Sequence, residues 1–304
     1  MNTFFLYLKN PKILGNVILS RCGWIPDKLF LKLKFYLNMG RCLDLKNPHT
    51  FSEKLQWLKL YNRRSEYTIM VDKVKAKEYV AAVLGNEYII PTLGVWSDPE
   101  EINFDSLPER FVLKCNHNSG TGMYICKDKS KMDVEKVKSE LRKGLKENYF
   151  KKNREWPYKN VPRRILAEQY IDPIPGKQDL PDYKFFCFEG EPKYCQVISG
   201  RETKMCIDFF DHEWVHQPFH EPRDYPFADV VPQKPEHFEL MWSAARKLAE
   251  GQHFSRIDFY DNGDHFFFGE ITFFPTSGMG GVDPNDYDAI FGAMIKLPVD
   301  DRIG

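Results

Sequence analysis

The sequence has 304 residues, of which 42% are hydrophobic and 15% aromatic, with 43 basic and 43 acidic side chains. That composition predicts a packed globular protein and excludes a largely disordered chain. A net charge of zero argues against a general nucleic-acid-binding protein, and seven scattered cysteines without a C-x-x-C pair indicate reduced thiols, not disulfides or zinc ligands.

Residues 1–42 form a basic segment, with seven cations and a single acid, Asp27, among apolar runs. Such a segment either packs as a basic surface helix on its own domain or lies on an anionic membrane. No apolar run approaches the roughly 20 residues that a spanning helix needs, and no signal peptide is recognisable. We therefore expect a cytoplasmic protein, with peripheral contact of residues 1–42 to the inner face of the cell membrane as an open alternative.

The remaining chain divides into helices followed by a strand-rich body. Thr50-x-x-Glu53 is a capping box that predicts a helix start, and residues 69–84 have apolar side chains at helical spacing. Further helices are predicted at 131–149, 235–250 and from 283 to about 296, and strands at 88–91, 111–115, 123–126, 164–171, 182–189, 193–199, 205–210, 254–260 and 265–273. Because strands often follow one another directly, the predicted fold class is α+β, not a doubly wound sheet.

The last two predicted strands carry charged side chains. Alternation places Arg256 and Asp258 on one face of the first strand, and Glu270 and Thr272 on one face of the second. Joint burial of the apolar side chains requires all four polar ones to share a face, which predicts a three- or five-residue loop or a β-bulge. Two carboxylates and a hydroxyl suit Mg²⁺, and a guanidinium suits a phosphoryl oxygen. A solvated sheet face with a surface ion pair is the alternative.

Other polar positions support an anion site more weakly. Lys114 precedes the loop 116–122, whose glycines let backbone N–H groups approach an anion, although a plain hairpin turn is the alternative. Lys184 lies in an apolar strand and needs a counter-charge, either a carboxylate or a phosphate. The sequence from His212 to His216 fits the H-E-x-x-H zinc pattern, but the neighbouring strand and prolines argue against the helix that this motif needs.

Taken in order, these elements resemble those of ATP-grasp enzymes. The matching stretches are Val71-Asp72-Lys73-x-x-x-Lys77 with Ile90-Pro91-Thr92, Phe111–Lys114 with its Gly loop, Ala167–Ile171, Arg256-Ile257-Asp258 and Glu270-Ile271-Thr272. More narrowly, Asp182–Phe188 and Glu270–Gly278 resemble the TupA-like ATP-grasp family, and the resemblance covers residues 50–295. That family occurs among genes for cell-surface polysaccharides, and its members are often labelled glycosyltransferases.

The resemblance implies an ATP-grasp fold, in which two α+β subdomains grip ATP behind a helical N-terminal region. It suggests a helical region at 1–97, a small ATP-binding subdomain at 98–165 and a large subdomain at 166–304. ATP and Mg²⁺ are the implied cofactors. The implied ATP-binding residues are Lys73, Lys114 and Lys184 at the phosphates, Ser119, Gly120 and Gly122 in the covering loop, Glu168 at the adenine amino group and Asp182 at the ribose.

The same resemblance implies the chemistry. Asp258, Glu270 and Thr272 would hold Mg²⁺, although the wider superfamily usually has Asn where Thr272 stands. Arg256 and Lys184 would be catalytic, and Ser277, Gly278 and Gly280 would present backbone donors to a substrate carboxylate. The implied activity is a carboxylate–amine ligase acting through an acyl phosphate, with a small-molecule or glycan carboxylate and an amine as partners. A glycosyltransferase, a kinase and a non-catalytic nucleotide-binding protein of a membrane assembly remain alternatives.

Overall fold

Helices form the first part of the structure, a computed structural model that describes residues 11–176, 180–200 and 204–298. They are α1 (Pro11–Arg21), α2 (Asp27–Met39), α3 (Phe51–Tyr61), α4 (Glu66–Val71) and α5 (Lys75–Leu84). The capping box at the start of α3 is confirmed, because the Thr50 hydroxyl accepts from the Glu53 N–H and the Glu53 carboxylate accepts from the Thr50 N–H. None of the helices in the described ranges is long and apolar enough to cross a membrane.

The prediction of one helix over 69–84 was wrong, because the chain turns between α4 and α5. The Asp72 carboxylate accepts from the Val74 N–H at 3.0 Å and from the Asn116 side-chain amide at 2.7 Å. The Lys73 N–H donates to the Asn116 carbonyl at 3.2 Å. Bonds to a distant loop therefore replace the hydrogen bonds that a continuous helix would form, and they fix Lys73 beside that loop.

A small antiparallel sheet follows, with its own apolar core. Its strands are β1 (Thr92–Trp96), β2 (Phe111–Cys115), β3 (Met123–Cys126) and β4 (Ile165–Gln169), in the order β1-β4-β2-β3. Helices α6 (Val134–Lys146) and α7 (Tyr149–Asn153) lie between β3 and β4 in the chain. The strand entry predicted at 88–91 is met in part. Residues Asn86–Tyr88 form a 3-10 helix, Ile89 makes an isolated bridge with Phe268, and β1 begins directly after Pro91, which has no N–H to donate. The strands of the small sheet lie between residues 92 and 169. The suggested subdomain boundary at 97 therefore falls just after β1, and the one at 165 falls at the start of β4.

The large sheet supplies most of the second half. It consists of β5 (Asp182–Phe188), β6 (Glu191–Ser199), β7 (Cys206–Phe210), β8 (Phe254–Asp261) and β9 (Phe266–Thr272), in the order β7-β6-β5-β8-β9. Helix α8 (Phe238–Ala249) covers one face through aromatic contacts such as Phe185 with Trp242. The N-terminal helices share this sheet's core, whereas the small sheet has a separate one. The last helix, α9 (Asp286–Ala293), ends before the predicted 296.

The predicted β-bulge is present in the hairpin of β8 and β9. Asp258 pairs with Glu270 and the next residue, Phe259, pairs with Phe268, so Gly269 is the extra residue. A Cβ atom at Gly269 would lie 3.1 Å from the Asp258 carbonyl oxygen, which explains why the smallest residue stands there. The bulge brings the polar side chains of both strands to the face opposite α8.

Candidate active site

A row of polar side chains crosses four strands of the large sheet. Gln196 on β6 pairs with Lys184 on β5, Lys184 pairs with Asp258 on β8, and Asp258 pairs with Glu270 on β9. Residues directly opposite in antiparallel strands have neighbouring side chains. The register therefore confirms that the charged residues of the two last strands share one face.

Arg256 lies at the centre of this face. Its Nη2 atom is 2.7 Å from Asp258 Oδ2, 3.1 Å from Glu270 Oε1 and 3.2 Å from Thr272 Oγ1. Its Nε atom donates to Asp258 Oδ1 at 2.7 Å. Oxygens of all three residues suggested as Mg²⁺ ligands thus converge on one positively charged nitrogen.

The residues present fit a magnesium–phosphate complex. The convergence of oxygens shows a place where positive charge is stabilised by two carboxylates and a hydroxyl. Within the described residues no three His, Cys, Asp or Glu side chains cluster as a metal site. Two carboxylates are nevertheless enough for Mg²⁺, which takes few protein ligands and keeps water and phosphate oxygens in its shell.

The charge state of the two carboxylates follows from their neighbours. Burial raises the pKa of Glu270, but Lys73, Arg256 and Lys184 outweigh it and lower that pKa to about 2. Glu270 is therefore ionised at neutral pH. Burial raises the pKa of Asp258, and Arg256 and Lys184 oppose the rise. Lys184 contacts the carboxylates of both Asp258 and Asp182, so the counter-charge expected for this buried lysine is a pair of carboxylates.

Lys73 connects the helical region, the Gly loop and the large sheet. Its Nζ atom donates to the Asn118 carbonyl at 2.6 Å and lies 3.9 Å from Glu270 Oε2. Burial lowers the pKa of Lys73, and the Glu270 carboxylate opposes that shift. The turn between α4 and α5 thus places the Lys73 ammonium group beside Glu270, the last residue of the polar row.

Glu168 binds two lysines at the small sheet. Its carboxylate contacts Lys114 at 2.5 Å and Lys77 at 2.6 Å. Burial raises the pKa of Glu168, but the two lysines outweigh it and lower that pKa. The carboxylate suggested for the adenine amino group is therefore bonded to Lys114, the lysine suggested for the phosphates. Lys77, which belongs to one of the matching stretches but was assigned no ligand, also contacts this carboxylate. The two sheets, the α4–α5 turn and α5 together carry nine charged side chains of this site: Lys73, Lys77, Lys114, Lys184, Arg256, Glu168, Asp182, Asp258 and Glu270.

The Gly loop has an anchored base and an exposed tip. The Asn118 side chain donates to the Glu147 carboxylate at 2.9 Å, while Ser119 and Gly120 are exposed. A Cβ atom at Gly122 would meet Cys115 Sγ at 2.7 Å and the Gly144 Cα at 2.9 Å. Packing against α6 accounts for Gly122, which leaves the tip as the part free to approach a phosphate.

The loop after β9 is held by a buried network. Lys59 Nζ donates to the Ser277 carbonyl at 2.7 Å, and the Ser277 hydroxyl donates to Glu155 at 2.5 Å. The Ser277 N–H donates to the Phe274 carbonyl at 2.8 Å. Burial raises the pKa of Glu155, and Lys59 opposes the rise. Both Ser277 donors are thus used within the protein, and Gly278 and Gly280 remain the residues proposed to meet a substrate carboxylate. Sequence reasoning missed Lys59 and Glu155, which lie far apart in the chain.

Glu221 is a buried carboxyl that borders the site and that sequence reasoning also missed. Its backbone carbonyl accepts from the Gln196 amide, which belongs to the polar row. Its carboxylate accepts from the Thr276 hydroxyl at 2.8 Å. Burial raises the pKa of Glu221 to about 7, with Thr276 and Arg256 opposing that rise and Asp288 adding to it.

Glu221→Gln is expected to change how stability depends on pH. Because the folded-state pKa is raised above the ordinary 4.5 to about 7, the folded protein binds a proton there that the unfolded chain has lost. Stability from this group is present below 4.5 and is lost as pH rises towards 7, on the order of 3 kcal/mol in all. Urea unfolding from pH 4.5 to 8 should show the wild type losing stability relative to the Gln variant; a constant difference would contradict the assignment.

The zinc-like motif does not form a metal site. The residues from His212 to His216 form a turn and an isolated bridge, not a helix. His212 bonds Glu239 at 2.9 Å and His216 bonds Asp208 at 2.8 Å. Both imidazoles therefore have carboxylate partners on separate elements, as the neighbouring strand and prolines suggested.

Comparisons with known proteins identify a family and a set of related folds. The model of the TupA-like ATP-grasp family matches residues 53–296. The structure is similar to D-alanine–D-alanine ligase from Bacillus anthracis in complex with ATP, with 17% identity, a TM-score of 0.39, and coverage of 67% of this chain and 53% of that one. The enzyme of the same name from Helicobacter pylori gives 14% identity and a TM-score of 0.43, covering 83% and 70% of the two chains. No curated protein matches.

Proposed function

This chain belongs to the TupA-like ATP-grasp family, and from that premise we propose that it is an ATP- and Mg²⁺-dependent ligase that joins a carboxylate to an amine. The observation that supports the proposal most directly is the convergence of Asp258, Glu270 and Thr272 on the guanidinium nitrogen of Arg256. It provides ligands for a hard cation and a donor for a phosphoryl oxygen on one sheet face.

Charge stabilisation and positioning are the protein's part of the proposed reaction. ATP supplies the phosphoryl group that activates the substrate carboxylate as an acyl phosphate, and Mg²⁺ offsets the phosphate charge. Lys73, Lys114 and Lys184 neutralise phosphate oxygens, while Asp258, Glu270 and Thr272 hold the metal. Arg256 stabilises the charge on the transferring group, and the backbone at Gly278 and Gly280 positions the carboxylate that receives it.

The genes that lie near those of the family suggest a pair of substrates. Genes for cell-surface polysaccharides surround its members, so we propose a uronic acid as the carboxylate and an amino acid as the amine. We place this reaction in the cytoplasm, where ATP is available and where the scattered free cysteines stay reduced. The proposed role is therefore the amidation of a polysaccharide building block.

Acyl transfer can be tested before the natural amine is known. Purified protein is incubated with Mg²⁺, ATP and single uronic acids, with hydroxylamine as the amine, and both phosphate and hydroxamate are measured. We expect phosphate release that requires the carboxylate, together with hydroxamate. Phosphate retained on the sugar would instead show a kinase, and sugar transfer from a UDP- or GDP-sugar without ATP consumption would show a glycosyltransferase.

A further inference from the structure

Helix α2 has large apolar side chains on its exposed face as well as on its buried face. Phe30, Leu31 and Phe35 are buried in the core of the large subdomain, so the expectation that the basic segment covers its own domain is met on that side. Leu29, Leu33 and Tyr36 follow one another at helical spacing on the other side and are exposed, with Tyr36 58% accessible. An α-helix that only covers a core has a polar outer face.

Neighbouring residues extend this exposed apolar surface. Trp24, in the turn before α2, is 82% accessible. Helix α1 packs against α2, where Gly15 faces Leu37, and it exposes further aliphatic side chains. The exposed apolar residues of this region, termed here the N-terminal patch, are Ile13, Leu14, Ile18, Trp24, Leu29, Leu33 and Tyr36.

Within residues 11–41, which carry the N-terminal patch, the exposed charges are mostly basic; the acid Asp44 follows this segment and interacts with Lys32. Four basic side chains are exposed here. Lys12 and Arg21 lie on α1, and Lys28 and Lys32 lie on α2. The single acid among residues 11–41 is Asp27, and its carboxylate is paired with Arg63 at 2.8 Å and with Arg154 at 3.1 Å. No acid within this segment is therefore left to offset the four exposed cations.

We propose that the N-terminal patch docks this protein on an anionic phospholipid surface. Indole and phenol rings favour the boundary between water and acyl chains, and aliphatic side chains gain by leaving water there. Lysine and arginine beside them are attracted to anionic headgroups. This combination suits a helix pair that lies on a membrane, and it is independent of the proposed ligase activity.

A second copy of the chain fits the patch less well than a lipid surface. Two copies meeting through the same surface would place the cations of one patch against those of the other. Like charges brought together in this way oppose association. An anionic bilayer offers an apolar interior to the apolar side chains of the patch and a negative surface to its cations.

Vesicle co-sedimentation of the full-length protein tests the proposal. We expect binding to vesicles of phosphatidylcholine mixed with phosphatidylglycerol, weak binding to phosphatidylcholine alone, and release by high salt. Two variants should each lower binding at least about tenfold: Trp24→Ser with Leu29→Ser and Leu33→Ser, and Lys28→Glu with Lys32→Glu. The matched control is Val230→Ser, since Val230 is 82% accessible and lies outside the patch, between β7 and α8.

Folding and self-association are checked on the same variants. Each variant should keep the wild-type unfolding temperature and the wild-type response to MgATP. The proposal is overturned if the wild type stays in the supernatant with anionic vesicles, or if the patch variants bind as the control does. It is also overturned if the wild type does not bind vesicles but forms a dimer in size-exclusion chromatography that the triple Ser variant abolishes.

Discussion

Replacing Glu270 by Gln should lower the affinity for MgATP by about 10- to 100-fold while the protein remains folded. Glu270 is one of the proposed metal ligands that converge on Arg256, and nearby cations hold it ionised at neutral pH. Glutamine keeps the shape of the side chain but removes the negative charge that a hard cation needs. Because the Glu270 side chain is 35% accessible, the loss of its ion pairs should cost little stability.

Isothermal titration with a non-hydrolysable ATP analogue measures this effect with and without Mg²⁺. The loss should appear with Mg²⁺ and be much smaller without it, because the metal-free nucleotide is repelled by the carboxylate that the variant removes. Glu191→Gln is the control, since Glu191 lies at the exposed start of β6 and pairs with Arg246. Equal losses with and without Mg²⁺ would mean that Glu270 is not a metal ligand.

Asp258→Asn should destabilise the protein by about 3–5 kcal/mol. The Asp258 carboxylate is almost fully buried and contacts both Lys184 and Arg256. An amide in its place leaves two buried cations without that negative charge, which is more costly than removing a whole ion pair. The stability of the fold therefore depends on this one aspartate of the polar row.

Urea unfolding of a double-mutant cycle tests this dependence. Lys184→Met combined with Asp258→Asn should cost less than the sum of the two single changes, since each single change leaves an uncompensated charge. Asp264→Asn, in the exposed turn of the same hairpin, is the control and should stay within about 0.5 kcal/mol of wild type. Strictly additive effects would contradict the coupling inferred from the contacts.

Local sequence pattern was sufficient to predict the shared polar face of β8 and β9. Strand alternation and the burial of Ile257 and Ile271 required Asp258 and Glu270 to share a face. That requirement predicted either an odd-length loop or a β-bulge, and the structure has the bulge, at Gly269. The capping box at Thr50 was readable for the same reason, since both of its partners lie within three residues. Constraints that act over a few residues leave a signature in the sequence.

Contacts between residues far apart in the chain could not be predicted from local sequence pattern. The turn at Lys73 depends on Asn116, which lies more than forty residues away, so helical periodicity hid it. Glu168 was assigned to adenine from resemblance, and the two lysines that bind it became apparent only from the structure, in which Lys114 lies on the neighbouring strand β2 and Lys77 on α5. Glu221 had no motif at all, because its position is set by contacts with Gln196 and Thr276.

A thermal-shift experiment tests the central claim, that this site binds ATP with Mg²⁺. The protein is heated with ATP, ADP, UDP-sugars or GDP-sugars, each with and without Mg²⁺. We expect a rise in melting temperature with ATP or ADP that depends on Mg²⁺, is lost in Lys114→Ala and is kept in Lys131→Ala, whose side chain is exposed. Stabilisation by a UDP- or GDP-sugar alone, with no response to ATP, would contradict the account.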